Sequence, residues 1–175
     1  MNPLPDPAPN LAAEYRISEG ALGVRETLAL MRAIVRRYRA DPNMIAYARQ
    51  LLIGVPQKDW MGEIRKIFYF VRDRIRYVQD PNDVETLSTP DYLLANMNAG
   101  GDCDDKSVLL ATLLEASGHP ARFRAVGFEG GALTHVYVET KLGERWIPLD
   151  TTESLDAGEL MFDPREVKNS STVHV

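Results

Sequence analysis

The chain has 175 residues, 45% of them hydrophobic and 26% charged, with a net charge of −5. That is enough for one domain with a true core, and the acidic balance argues against a general nucleic-acid or anionic-membrane partner. Its single cysteine, Cys103, rules out an intramolecular disulfide and suits a reducing compartment, so a cytoplasmic location is expected.

Residues 1–20 begin with Met1, Pro3, Pro5, Pro7 and Pro9. They lack the basic start and apolar core of a signal peptide and read as an extended proline-rich arm, available to an assembly partner. No apolar run approaches the ~20 residues that span a bilayer, so no membrane partner is expected. A single domain is assigned to residues 21–165. Within it, Thr27 to Arg39 places Met31, Ile34, Val35 and Tyr38 at helical spacing. The arginines on that segment, Arg32, Arg36, Arg37 and Arg39, are read as a solvated face. A second helix follows, with Asp41 as its cap, Pro42 at its first position and Gly54 as its stop. A third starts near Asp59 and carries Trp60, Ile64, Ile67, Phe68, Val71 and Ile75 along one side. Arg76 to Gln79 is expected to be extended, and Pro81-Asn82-Asp83 breaks the chain. Thr89-Pro90 opens a short helix through Leu94.

A glycine pair, Gly100-Gly101, then precedes Asp102-Cys103-Asp104-Asp105 and an apolar helix that ends at Gly118. Asp102 reads as its N-cap and Asp105 as an acidic capping-box partner. Cys103, Leu110 and Leu114 share a helical face that points inward. A helix start favours thiolate over thiol and can lower a cysteine pKa from about 8.5 to ~3.5–7.5, although the flanking aspartates oppose this. The rest alternates as an antiparallel meander: Arg122 to Gly127, Ala132 to Thr140, and Arg145 to Leu149, with a hairpin through Gly143. Leu133, His135 and Tyr137 share one face of the middle strand, and Trp146, Pro148 and Asp150 share a face of the next. Residues 166–175, with Lys168-Asn-Ser-Ser-Thr172, read as a flexible, solvated tail. Helices first and strands after give an α+β class.

Taken singly, a lone cysteine is most often a small buried hydrophobe, His135 an ordinary strand residue, and Asp150 a strand-end turn acceptor. Their order and settings change the reading. Cys103 at a helix start, His135 on a strand and Asp150 closing the next strand resemble the transglutaminase-like superfamily of papain-like cysteine enzymes, over roughly Ser88 to Thr152. The resemblance implies a catalytic helix packed on a small antiparallel sheet, and a cysteine-dependent amide or peptide hydrolase or acyl transferase. In that role Cys103 is the nucleophile, His135 the base and Asp150 the residue that fixes the imidazole tautomer. The reaction passes through a thioacyl intermediate on a peptide or protein substrate, with water favoured over an amine as acceptor. Tyr77, Asn96 and Asn98 are candidates for a second oxyanion donor. The rival is a non-catalytic binding module, such as a phage assembly protein acting in the host cytoplasm.

No cofactor is expected. One cysteine and scattered histidines make no zinc pattern, and Asp102, Asp104 and Asp105 lack the loop and terminal glutamate of an EF-hand. No phosphate-binding glycine loop is present, and Gly100-Gly101 and Gly130-Gly131 read as loop punctuation. His119 and His174 have no orienting partner nearby in sequence.

Overall fold

The computed structural model describes residues 13–14, 20–79, 86–128, 132–152, 154–160 and 162–175. Most of the proline-rich arm therefore lies outside the described residues. From it, β1 (Ala13–Glu14) pairs antiparallel with β2 (Thr86–Leu87).

Three amphipathic helices open the fold. α1 (Gly20–Tyr38) buries Leu28, Met31, Ile34 and Val35. α2 (Pro42–Leu51) starts where Asp41 accepts from the N–H groups of Asn43 and Met44, at 2.8 and 3.2 Å. α3 (Trp60–Arg74) is capped by Asp59, whose carboxylate accepts from Gly62 N–H at 2.9 Å. Caps of this kind are worth about 1 kcal/mol each, because they satisfy N–H groups the first turn leaves unpaired. Along α3 the stripe of Ile64, Ile67, Phe68 and Val71 is buried, but Trp60 is 56% exposed. Its position in the first turn carries it past the edge of the core.

α4 (Pro90–Ala95) is short, with Pro90 at its first position. It leads to α5 (Cys103–Ala116), the centre of the molecule, on which α1, α2, α3 and α4 pack from one side and the sheet from the other. Residues 104–114 of α5 are all buried, polar ones included. A helix buried on every side needs apolar residues all round or partners for its polar groups. Asp105, Lys106 and Thr112 are hydrogen-bonded, and Leu109, Leu110, Leu113 and Leu114 are each fully buried, each burial contributing about 1.5–3 kcal/mol. Gly118, at φ 93°, ends it, a backbone conformation that glycine adopts at little cost.

The sheet has strand order β5-β4-β3-β6, all antiparallel, from β3 (Ala121–Gly127), β4 (His135–Leu142), β5 (Arg145–Leu149) and β6 (Asn169–His174). The Gly143 hairpin joins β4 to β5 as expected. Ala121, Phe123, Ala125, Val136, Val138 and Leu149 belong to the core shared with α5. The segment read as a solvated tail is instead β6, paired with β3 from Arg122↔His174 to Gly127↔Asn169. Its Asn-Ser-Ser-Thr composition hid it, because an edge strand with one solvated face needs few apolar residues. Arg124 donates to Thr172 Oγ1 at 2.8 Å and helps hold it in place.

Candidate active site

The start of α5 is built against the segment that leaves α3. Gly101 N–H donates to Arg76 O at 3.0 Å and Val78 N–H donates to Gly101 O at 3.0 Å, which makes the parallel bridge Tyr77↔Gly101. This approach needs both glycines. Gly100 sits at φ 79°, and a Cβ there would collide with the Arg76 carbonyl, while one on Gly101 would lie 2.5 Å from Asp105 Cβ. The pair is thus more than loop punctuation, since it lets residues 76–78 lie directly beside the cysteine loop.

Asp102 caps α5, accepting from Asp104 and Asp105 N–H at 3.2 and 3.4 Å. Asp105, expected as a capping-box partner, is buried and turned outward from the cap to accept Ser88 N–H at 2.6 Å. It anchors the loop before α4 to the first turn of α5. Asp102, Cys103 and Asp104 bring potential metal-ligating atoms within 4.8 Å of one another, the one such group among the described residues. A cap and a helix-start carboxylate already account for the acids there.

Cys103 is partly buried at the first position of α5. Burial pushes its thiol pKa well above the ordinary value, and the charges of Asp104 and Asp102 push the same way. The N–H of Val136, aimed at the sulfur, pulls only weakly against them. The thiolate expected from the helix start is therefore not the resting form: loss of water and two adjacent carboxylates outweigh the dipole.

Val136 follows His135, so the thiol sits at the beginning of the strand that carries the imidazole. Val136 and Val138 face α5 in the core, so alternation turns His135 and Tyr137 to the other face. His135 is the first residue of β4, and among the described residues its ring is hydrogen-bonded to Asp150 and not to the Cys103 sulfur. Its Nε2 lies 2.6 Å from Asp150 Oδ2. Asp150 is 1% exposed, and its Oδ1 accepts from Thr152 N–H at 3.1 Å and Thr152 Oγ1 at 2.7 Å. Burial alone would raise the Asp150 pKa, but the hydrogen bond and charge of His135, with both Thr152 donors, hold it below the usual carboxylate value. Asp150 is thus ionised and accepts only, so Nε2 is the ring nitrogen that donates to it. Tyr137 stacks on the ring at 6.2 Å between centroids, and Phe162 packs on Tyr137 at 6.0 Å.

A family model described as the transglutaminase-like superfamily matches residues 45–151, the stretch that runs from α2 through Asp150. The chain belongs to the transglutaminase-like superfamily. Solved structures agree on the fold. A candidate cysteine protease of Cytophaga hutchinsonii superposes with a TM-score of 0.51 at 15% identity, covering 82% of this chain and 50% of that one. Calcium-bound LapG of Legionella pneumophila gives a TM-score of 0.53 at 18% identity, with 81% and 80% coverage. A candidate protease of Parabacteroides distasonis gives a TM-score of 0.58 at 15% identity, covering 74% of this chain and 26% of that one. The chain thus spans half the length of the Cytophaga protein and about a quarter of the Parabacteroides one. No curated protein matches the sequence.

Around this superfamily core stand residues the sequence did not single out. Lys106 is 2% exposed, and its ammonium donates to Ile75 O at 2.8 Å and Arg72 O at 3.3 Å. Burial lowers its pKa to about 8, against the charges of Asp150 and Asp73, which raise it. A lysine one turn into an apolar helix was the available signal, since such a charge is seldom fully buried without partners. The remaining histidines are structural. His119 Nε2 lies 2.8 Å from Glu63 Oε2, distant in sequence, and His174 packs edge-on against Trp146.

Proposed function

We propose that the chain is a cysteine-dependent amide or peptide hydrolase in which Cys103, His135 and Asp150 act together. Superfamily membership, with one structural neighbour named as a candidate cysteine protease and another as a candidate protease, supports a cysteine peptidase-type role on a protein substrate. The observation that carries the finer reading is the 2.6 Å contact between His135 Nε2 and Asp150, on a strand whose next N–H points at the Cys103 sulfur.

In this reading His135 Nδ1 takes the thiol proton as the sulfur bonds to the substrate carbonyl carbon. The imidazolium, its charge balanced by Asp150, passes that proton to the leaving amine as the C–N bond breaks. Water then resolves the thioester, again with His135 as base. Because the resting thiol is protonated, the base is needed during attack itself, and no preformed ion pair is invoked. The backbone N–H of Cys103 is the first oxyanion donor. Tyr77 is the preferred second: it is 46% exposed and its backbone is bridged to Gly101, whereas the Asn96 amide donates to Tyr92 O at 2.9 Å.

The test uses a panel of peptidyl chloromethyl ketones on the full chain, with intact mass as the readout. A stoichiometric adduct on Cys103 that forms at least ~10-fold more slowly in His135→Ala is expected, since positioned general-base catalysis contributes 10²–10⁴-fold. Equal labelling of both proteins by every peptide would overturn the hydrolase reading in favour of a binding module.

A further inference from the structure

Beside the site lies a groove of about 450 Å³, between the end of α3 and the loop after β5. Lys106 and Thr151 are its buried floor, and Arg74, Arg76, Tyr77 and Thr152 are among the residues along its walls. Among the described residues its lining is basic, opposite in sign to the whole chain, which is −5. Arg72 and Asp73 also line it, but they pair with each other at 2.6 Å and cancel. That leaves Arg74, Arg76 and the Lys106 ammonium. Arg74 and Arg76 are exposed, and among the described residues neither guanidinium is held in an ion pair. The backbone of Arg76 is fixed by the bond from Gly101 N–H, so this charge is carried on the segment that flanks the cysteine loop. Thr151 directly follows Asp150, just past the end of β5, so the groove's floor continues from the residue that contacts His135.

We propose that this groove is a substrate subsite for an acidic peptide segment, whose carboxylates pair with Arg74 and Arg76. The assignment rests on the hydrolase reading for its role, since it names the class of peptide that reading would act on. Screening makes the local charge decisive. At physiological salt the Debye length is about 8 Å, so a carboxylate in the groove responds to the two guanidiniums and little to acids on distant faces. Guanidiniums without an ion-pair partner among the described residues keep their bidentate donors for an incoming carboxylate. A neutral or basic peptide gains neither contact.

The experiment measures binding without turnover. Full-length Cys103→Ala is titrated against fluorescein-labelled ten-residue peptides that are Glu/Asp-rich, neutral or Lys-rich, by fluorescence anisotropy at two salt concentrations. The acidic peptide should bind roughly tenfold more tightly than the neutral one, a difference of ~1.4 kcal/mol, and weaken as salt rises. The double charge reversal Arg74→Glu/Arg76→Glu, checked for unchanged melting, should abolish that preference. Equal affinity for all three peptides, or a preference untouched by the reversal, would overturn the proposal. So would tighter binding of a single-stranded oligonucleotide of equal charge, since the groove would then read phosphate. Acidic-peptide binding with no cleavage by the wild-type chain would count against the hydrolase reading and leave the groove standing as an acidic-peptide site without its substrate role.

Discussion

The Lys106 ammonium donates to the Ile75 carbonyl at 2.8 Å, so a buried charge on the helix that starts at Cys103 closes the C-terminal end of α3. Helix C-termini favour cations, and here the cation comes from a neighbouring helix. It ties α5 to the chain just before Arg76 and Tyr77. Burial nevertheless depresses its pKa to about 8, from 10.5. With a folded pKa below the unfolded one, the unfolded state binds more protons between those values, so stability should rise with pH across roughly 8 to 10.5. The gain attributable to this group is on the order of 3 kcal/mol. Urea unfolding at pH 7.5 and 10 should show it in the wild type and not in Lys106→Met. An identical pH slope in both proteins would refute the assignment.

Asp150 behaves in the opposite sense. Its folded pKa lies below the ordinary carboxylate value, so its contribution is present above about pH 4 and is lost as pH falls through the folded value. Asp150→Asn should cost about 1–3 kcal/mol at neutral pH, because Thr152 and His135 lose an ionised acceptor in a buried site. The variant should also be less sensitive to acid than the wild type. Its thiol labelling by peptidyl ketones should slow more than its stability loss explains, because the imidazole tautomer is no longer fixed.

The Cys103 thiol should be a poor target for small alkylating agents. Its pKa is raised by burial and by Asp104 and Asp102, so iodoacetamide modification at pH 7 should be slower than that of a free cysteine and should still be rising above pH 9. Asp104→Asn removes the largest of the carboxylate effects, those of Asp104, Asp102 and Asp150, and should speed labelling several-fold at fixed pH. A plateau already reached at pH 7 would mean that the helix start dominates after all.

Role and stability should separate along α5. Cys103→Ala removes one sulfur at the helix start and should abolish turnover with little change in melting temperature. Leu110→Ala, at a fully buried position on the same helix, deletes core methyl groups at a cost of ~2–5 kcal/mol. Its folded fraction should keep the wild-type rate per molecule. Full activity in Cys103→Ala on any substrate would refute the catalytic assignment.

Local chemistry made much of this protein legible in its sequence. The caps at Asp41, Asp59 and Asp102, the glycine stop at Gly118 and the hairpin at Gly143 each act within a few residues, so their signals are complete in the chain. Period-two alternation likewise located β3, β4 and β5, and with them the elements that carry His135 and Asp150. β6 escaped because its place depends on the free edge of β3, which no local pattern in Asn169–His174 announces.

Sequence alone also determined the order of Cys103, His135 and Asp150 and the kind of element each begins or ends, because caps, breakers and alternation are short-range effects. Only the tertiary structure decided the electrostatics around them. It brought Asp150 to His135 Nε2, buried the thiol among Asp102 and Asp104 so that its pKa rises rather than falls, and set Lys106 under the end of α3. The reason is physical: a charge's energy depends on the water removed from it and on the partners that distant segments deliver, and neither is fixed until α3, α5 and the sheet have packed.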